Sequence, residues 1–278
     1  MKLNTRIQQF YDQSTPLWLD IWGEHMHHGH YGADGKTRKD RVAAQIDMIE
    51  TFLEWGSVQQ ATRILDAGCG VGGSARYLAK KYNAQAVGLT LSPVQKKHAE
   101  RYTEKANLTQ QVQFAVRDMM TLNNDDGQFD LVWSMESAEH IADKQQLFNR
   151  FYERLQPGGR LLMATWCHRS EPPELKANEK TLLSKIYDRY HLPPMVPIAT
   201  LAEMAEHSGF KAIQTADWSK AVAPFWQKVI QSALTWEGLS GLVRSGWSTM
   251  RGAWAMQYMK RGFRLELIQF GVLSAEKQ

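Results

Sequence analysis

Four of the six residues from Gly68 to Gly73 are glycine, and the run sits between the apolar stretch Thr62–Ala67 (TRILDA) and a helical pattern reaching about Tyr82. A plain strand-to-helix turn rarely needs so many. Gly68, Gly70 and Gly73 satisfy G-x-G-x-x-G, a spacing that lets backbone turn tightly and approach a ligand at the carboxyl end of a parallel sheet. That placement commits the chain to an α/β architecture with a ligand over the strand ends.

The stretches that follow keep the alternation such a sheet requires. Ala84–Thr90 reads as a second strand, and Ser92 with Pro93 caps a helix running to about Ala106. Gln111–Arg117 alternates as a third strand and Gln128–Ser134 as a fourth, followed by a helix holding Leu147, Phe148, Phe151 and Leu155. The turn Gln156–Gly159 feeds a fifth strand, Arg160–Thr165. Arg169–Pro197, with proline groups around a helical stretch, reads as an insertion covering the active site. A helix at Ala199–Ser208, a strand at Lys211–Ala216, a Trp-rich helical segment and a last strand near Leu265–Leu273 complete a doubly wound α/β fold. We expect one domain over residues 1–278, with an N-terminal helical lid (1–56), a cofactor-binding core (57–168) and an acceptor cap (169–278).

The glycine spacing alone fits NAD, FAD or S-adenosylmethionine. Asp66 at the end of strand one can hold the ammonium group of S-adenosylmethionine and would face a pyrophosphate unfavourably. Asp118, just past strand three, can accept from the adenine amino group, with Met119 stacking on the ring. Strand two ends Leu89-Thr90-Leu91 without the acid that usually takes the ribose hydroxyls; Gln95, one helical turn on, can take them instead. The joint reading is an S-adenosylmethionine site built on Asp66, Gly68, Gly70, Gly72, Gln95, Asp118 and Met119.

Methyl transfer from a sulfonium is an in-line displacement in which positioning supplies much of the acceleration. A phenolic ring carbon additionally needs the phenol deprotonated, and an amine must lose a proton. Glu136, Glu139 and His140 follow strand four at i, i+3 and i+4, which predicts one shared face of a helical turn, with His140 as general base and a carboxylate orienting it. Alternatively, Glu136 pins the cofactor or His140 caps the helix. His25, His27, His28 and His30 do not follow a zinc spacing, so no metal is expected and the segment reads as a lid.

Several runs resemble the γ-tocopherol methyltransferase family of plants and cyanobacteria. They are Thr90–Gln95 (TLSPVQ), Trp133–His140 (WSMESAEH), Ala164–Arg169 (ATWCHR), Phe10–Asp12, Trp22–Gly29 (WGEHMHHG), Ala216–Ser219, Ala223–Trp226, Ser245–Trp247 and Arg251–Ala253. Ile64–Gly73, Gly127–Met135 and Arg154–Met163 resemble its cofactor motifs. The resemblance implies a seven-stranded Rossmann-like sheet with an antiparallel last strand. It adds Thr90, Leu91 and Ser134 to the cofactor site and folds the lid over the methionine end, bringing in Tyr11, His28 and Tyr31. It implies methyl transfer to a ring carbon of a prenylated chromanol, leaving S-adenosylhomocysteine. Plant relatives that methylate alkaloid nitrogens make a small-molecule N- or O-methyltransferase the alternative, and a non-catalytic cofactor-binding protein the remote one. Trp22, His30, Tyr31, Trp166 and Trp226 are the expected acceptor pocket. Plant members begin with a plastid-targeting extension that the first residues here do not match.

Net charge is +4 with no basic run, which gives no reason to invoke nucleic acid. Cys69 and Cys167 read as reduced bystanders. The first residues lack a signal-peptide core, and no apolar stretch approaches the ~20 residues that span a bilayer. The expected location is cytoplasmic or at a membrane surface, touched transiently by Trp247–Phe263, which mixes Trp, Met, Arg and Lys; a core helix with a solvated basic side fits the same pattern.

Overall fold

The computed structural model describes residues 3–225, 228 and 247–278. Seven strands form one sheet: β1 (Arg63–Ala67), β2 (Gln85–Thr90), β3 (Val112–Val116), β4 (Phe129–Met135), β5 (Leu155–His168), β6 (Lys211–Asp217) and β7 (Ile268–Glu276). Their order is β3-β2-β1-β4-β5-β7-β6, parallel from β3 to β5, with β7 antiparallel to β5 and β6. The chain turns back on itself between β1 and β4, so the strand ends there open a crevice on the carboxyl edge.

Period-two alternation puts apolar side chains on both faces of the sheet. One face carries Ile64, Leu131, Trp133, Leu162, Ala164 and Phe270 against α2 (Arg41–Trp55), α3 (Gly73–Tyr82) and α6 (Ala177–Tyr190). The other carries Leu65, Val132, Leu161, Met163 and Leu273 against α5 (Lys144–Arg154) and α7 (Ile198–His207). Trp133, Phe52, Phe148 and Phe151 are among the largest fully buried side chains, so both halves of the sandwich are anchored by aromatic burial. The expected cap on α4 (Pro93–Lys105) is present: the Ser92 hydroxyl accepts from the Gln95 N–H at 3.0 Å and Pro93 opens the helix.

Three boundaries differ from expectation. Leu155 pairs with Phe129 and begins β5 instead of closing α5, and the expected Gln156–Gly159 turn lies within that strand, tied to Lys277 at the end of the sheet. The final helix, α9 (Trp247–Arg264), stops just short of the expected last strand, whose first residues instead form a turn through Glu266, at φ 53°, that delivers Ile268. Between β6 and α9 lies the short α8 (Ser219–Val222). The insertion after β5 is helical as expected, as α6.

At the N-terminus α1 (Leu3–Trp22) lies across the carboxyl edge of the sheet. Asn4 donates to Asp118 beyond β3 (2.6 Å), the Ser92 hydroxyl beyond β2 donates to Asp12, and Tyr11 meets His140 beyond β4. One helix thus touches three strand ends. Among the described residues no helix is long and apolar enough to cross a membrane.

Candidate active site

β1 carries Asp66 into the crevice and the glycine turn follows. Gly70 adopts φ +53°, and a Cβ there would have only Met26 as a neighbour, at 3.7 Å, so the backbone lies open to a ligand-sized group. Gly72 differs: at φ +76° a Cβ would run into the Phe114 ring, so it closes the turn by packing instead of facing the crevice. Asp66 is buried and accepts from the Ala75 N–H, but its Oδ2 has no hydrogen-bond partner among the described residues. Burial pushes the carboxyl up to about 7, against the smaller opposing pull of that N–H and Arg76. An uncompensated buried carboxylate is costly, and an ammonium at Oδ2 removes the cost. The site therefore fits the amino group of S-adenosylmethionine.

Around the edge, the Thr90 hydroxyl donates to the Gln95 amide oxygen (2.7 Å) and accepts from the Ser92 N–H (3.1 Å). Gln95 is buried and its amide nitrogen faces the Met26 sulfur at 3.9 Å. Leu91 is half-buried beside them. Asp118 caps the 3₁₀ turn Met119–Thr121 through the Met120 N–H (2.9 Å), leaving Met119 buried near Gly68. Ser134 and Ser137 hydroxyls lie 2.9 Å apart, and Ser137 donates to the Ala67 carbonyl at 2.6 Å, stiffening the floor between β1 and β4.

The segment after α1 closes over the glycine loop. Glu24 pairs with Arg76 at 2.8 Å, its backbone packs onto Gly73, and the Gln45 amide donates to the carbonyls of His25 and His27. His28 approaches Glu136 twice: its N–H donates to Oε1 (2.6 Å), and Nδ1 lies 2.7 Å from Oε2. The imidazoles of His25 and His27 sit edge to face at 5.4 Å, and burial lowers both from their ordinary values, His25 to about 3. Among the described residues no group of three or more His, Cys, Asp or Glu could hold a metal ion.

The expected shared face of Glu136, Glu139 and His140 does not form. Glu136 ends the strand in the left-handed region at φ 52°, and only Ala138–His140 turn, as a 3₁₀ helix. The three side chains consequently take different partners: Glu136 His28, Glu139 the Thr165 hydroxyl on β5 (2.9 Å), and His140 the Tyr11 hydroxyl (2.7 Å at Nε2). A phenol on the lid, not a neighbouring carboxylate, orients His140. Burial pushes Glu139 up to about 8, helped by the charge of Glu136. It lowers His140 to about 4, helped by Lys144 and His191. Burial also raises Tyr11 far above the ordinary phenol value, helped by Glu139 and Glu136. At neutral pH the site thus holds an uncharged imidazole bonded to an un-ionised phenol.

Of the expected acceptor wall, Trp166 stands beside this chemistry, its ring edge to face with His28 (6.2 Å) and Tyr190 (5.7 Å). His30 instead meets Trp218 (5.3 Å), which packs on Phe52 and Trp55, and Tyr31 is fully buried with Ala44 and Phe225. Those two brace the lid and do not line a wall. Trp226 and the side chain of Trp22 lie outside the described residues. The sequence reading missed Phe10, Trp18 and His191, which come together where α1 meets the end of α6, and Tyr190, which packs on Trp166. It missed Asn4, Asp12, Glu24 and Arg76 as well, because these contacts form only by docking α1 and the segment after it on the strand ends and α3.

The mycolic acid cyclopropane synthetase family profile matches residues 2–234. The chain is 45% identical over 99% of its length to "Probable tocopherol O-methyltransferase, chloroplastic" of Oryza sativa subsp. japonica, covering 78% of that protein. It is 39% identical to "Tocopherol O-methyltransferase, chloroplastic" of Arabidopsis thaliana (99% and 82% covered). It is 34% identical to "2-methyl-6-phytyl-1,4-hydroquinone methyltransferase" of Synechocystis sp. (96% and 86%). In fold it matches the cyclopropane synthase MmaA2 from Mycobacterium tuberculosis, with a TM-score of 0.83 at 20% identity over 99% of this chain and 98% of that one.

Proposed function

This chain belongs to the γ-tocopherol methyltransferases of the mycolic acid cyclopropane synthetase family, and from that membership we propose that it methylates a ring carbon of a prenylated chromanol or quinol. It is an S-adenosylmethionine-dependent methyltransferase. When bound, S-adenosylmethionine supplies an electrophilic methyl group on its sulfonium. Asp66 holds the ammonium; Gly70 gives the backbone its approach, with Gly68 packed on Ser137 to turn the loop; Thr90, Leu91 and Gln95 face the ribose; Asp118 and Met119 bound the adenine side, and Ser134, on β4 beside β1, the methionine side. Tyr11 and His28 close the lid over the methionine end.

The observation that carries the reading is the half-buried Tyr11–His140 hydrogen bond at the strand ends, which holds an uncharged base. The acceptor hydroxyl gives its proton to the Tyr11 oxygen as Tyr11 passes its own to His140 Nε2, and the resulting phenolate makes the ring carbon nucleophilic. Glu139 braces the turn through Thr165, and Glu136 fixes His28 in the closed lid. Trp166, with Tyr190 and His191 from the cap (169–278), forms the apolar side of the acceptor site against the lid (1–56). A prenyl tail keeps the acceptor in a bilayer, so the enzyme works at the membrane surface from the aqueous side, docking transiently.

The names of the plant relatives specify O-methylation, which favours a phenolic oxygen as the second acceptor atom. Incubation with labelled methyl donor and γ-tocopherol, followed by NMR of the product, separates the two. A new aryl methyl with the phenol free supports ring-carbon transfer; an aryl methoxy group overturns it.

A further inference from the structure

Lys144 is the first residue of α5, and its side chain is out of place there by two measures. It is only 4% exposed, and an ammonium at the start of a helix opposes the helix dipole. The group it serves lies one turn earlier. Nζ donates to the Ile141 carbonyl at 2.7 Å and to the Ala138 carbonyl at 3.4 Å. These carbonyls flank His140. The Ala138 carbonyl also accepts the Ile141 N–H that closes the 3₁₀ turn. The ammonium thus pins both ends of the three-residue turn carrying the imidazole.

We propose that Lys144 is a positioning residue for the methyl transfer, clamping the Ala138–His140 turn that carries the imidazole while the Tyr11 hydroxyl holds Nε2. The inference rests on His140 as the base. The charged and titratable groups around that imidazole are Tyr11 bonded to it from α1, His191 from the end of α6 and Lys144 from α5; Glu136 and Glu139 act on Tyr11, and Arg6 on His191. Of these, Lys144 alone is both a fixed cation and hydrogen-bonded to the turn. Burial lowers the Lys144 ammonium from its ordinary value, and Glu139, tied to Thr165, opposes that lowering.

The test is kcat against pH at saturating donor for the full-length protein and for Lys144→Met, Lys144→Gln, Lys144→Arg and His140→Ala, with donor affinity measured in parallel. Lys144→Met should lower kcat about 10-fold or more, leave donor affinity within about threefold, and move the acid limb of kcat up by about one pH unit. Lys144→Arg should recover most of the rate with the limb near its original place. Lys144→Gln keeps a donor without the charge; it should move the limb with a smaller loss of rate, and it carries the test if the Met protein fails to fold. Met and Arg proteins slowed alike with an unmoved limb, or a Met protein as fast as the parent, would overturn the proposal. His140→Ala separates the two ideas: near-parent turnover there removes the base itself, whereas a slow His140→Ala beside an unaffected Lys144→Met removes only Lys144.

Discussion

Replacing Asp66 by asparagine removes a charge while keeping the shape, and the structure sets the size of the effect. In the free protein the carboxyl sits at about 7, raised by burial, with Oδ2 lacking a partner among the described residues. An ammonium ligand needs the carboxylate form. Affinity should therefore weaken as pH falls below 7. The ionised fraction of a group at about 7 is roughly 0.76 at pH 7.5 and 0.03 at pH 5.5, so the dissociation constant should rise about 25-fold across that window. Removing a charge-assisted bond costs about 1.5–3 kcal/mol, or roughly 10- to 150-fold at pH 7.5. Calorimetric titration with S-adenosylhomocysteine, which carries the same ammonium without turnover, measures both. Asp66→Asn should bind weakly with a nearly flat profile over this window. The folded protein favours the protonated carboxyl, so the group's contribution to the stability of free protein is full below 3.8 and lost as pH rises through about 7; bound ligand should reverse this. A parent profile that is flat from pH 5.5 to 7.5, or an Asn protein with parent affinity, would refute the reasoning.

Other expectations follow from the same geometry. His140→Ala should lower kcat about 10²–10⁴-fold with near-normal donor affinity; turnover near the parent's would remove His140 from the mechanism. Because His140 is lowered to about 4, its neutral form, and with it kcat at saturating donor, should persist well below the ordinary histidine range; its stabilising effect is full above 6.5 and lost as pH falls through about 4, measurable as acid unfolding displaced in His140→Gln. Glu24→Gln loses a lid tie that is half-exposed at the glutamate, so donor KM should rise about 2- to 5-fold while Tm moves little; an unchanged KM would free the lid from that contact. Gly72→Ala should cost about 1–3 kcal/mol in denaturant unfolding, from positive φ and the Phe114 ring together; an unchanged midpoint would contradict the packing role assigned to Gly72.

What could be read in advance was local. The strands around the glycine loop are short, mostly buried runs, Ser92-Pro93 is a self-contained cap, and Asp66 is placed by the strand it ends. The catalytic edge was legible as residue types but not as pairings. Tyr11 and His140 are separated by 129 positions, and His28 and Glu136 by 108; no periodicity encodes contacts made by docking α1 and its following loop on the strand ends. Expecting one face for Glu136, Glu139 and His140 assumed α-helical spacing, whereas a left-handed Glu136 and a 3₁₀ turn send the three apart. His30 and Tyr31 suit a pocket by type, yet burial against Trp218, Phe225 and Ala44 makes them braces.

The central claim is methyl transfer from S-adenosylmethionine to an aromatic ring carbon. Its most direct test is turnover of labelled donor against γ-tocopherol, a prenylated benzoquinol and a panel of amines, in detergent, with the product identified. Label in a ring methyl of the tocopherol or quinol is the predicted result; label only on amine nitrogen or phenolic oxygen, or no transfer by protein that binds the donor, would contradict it.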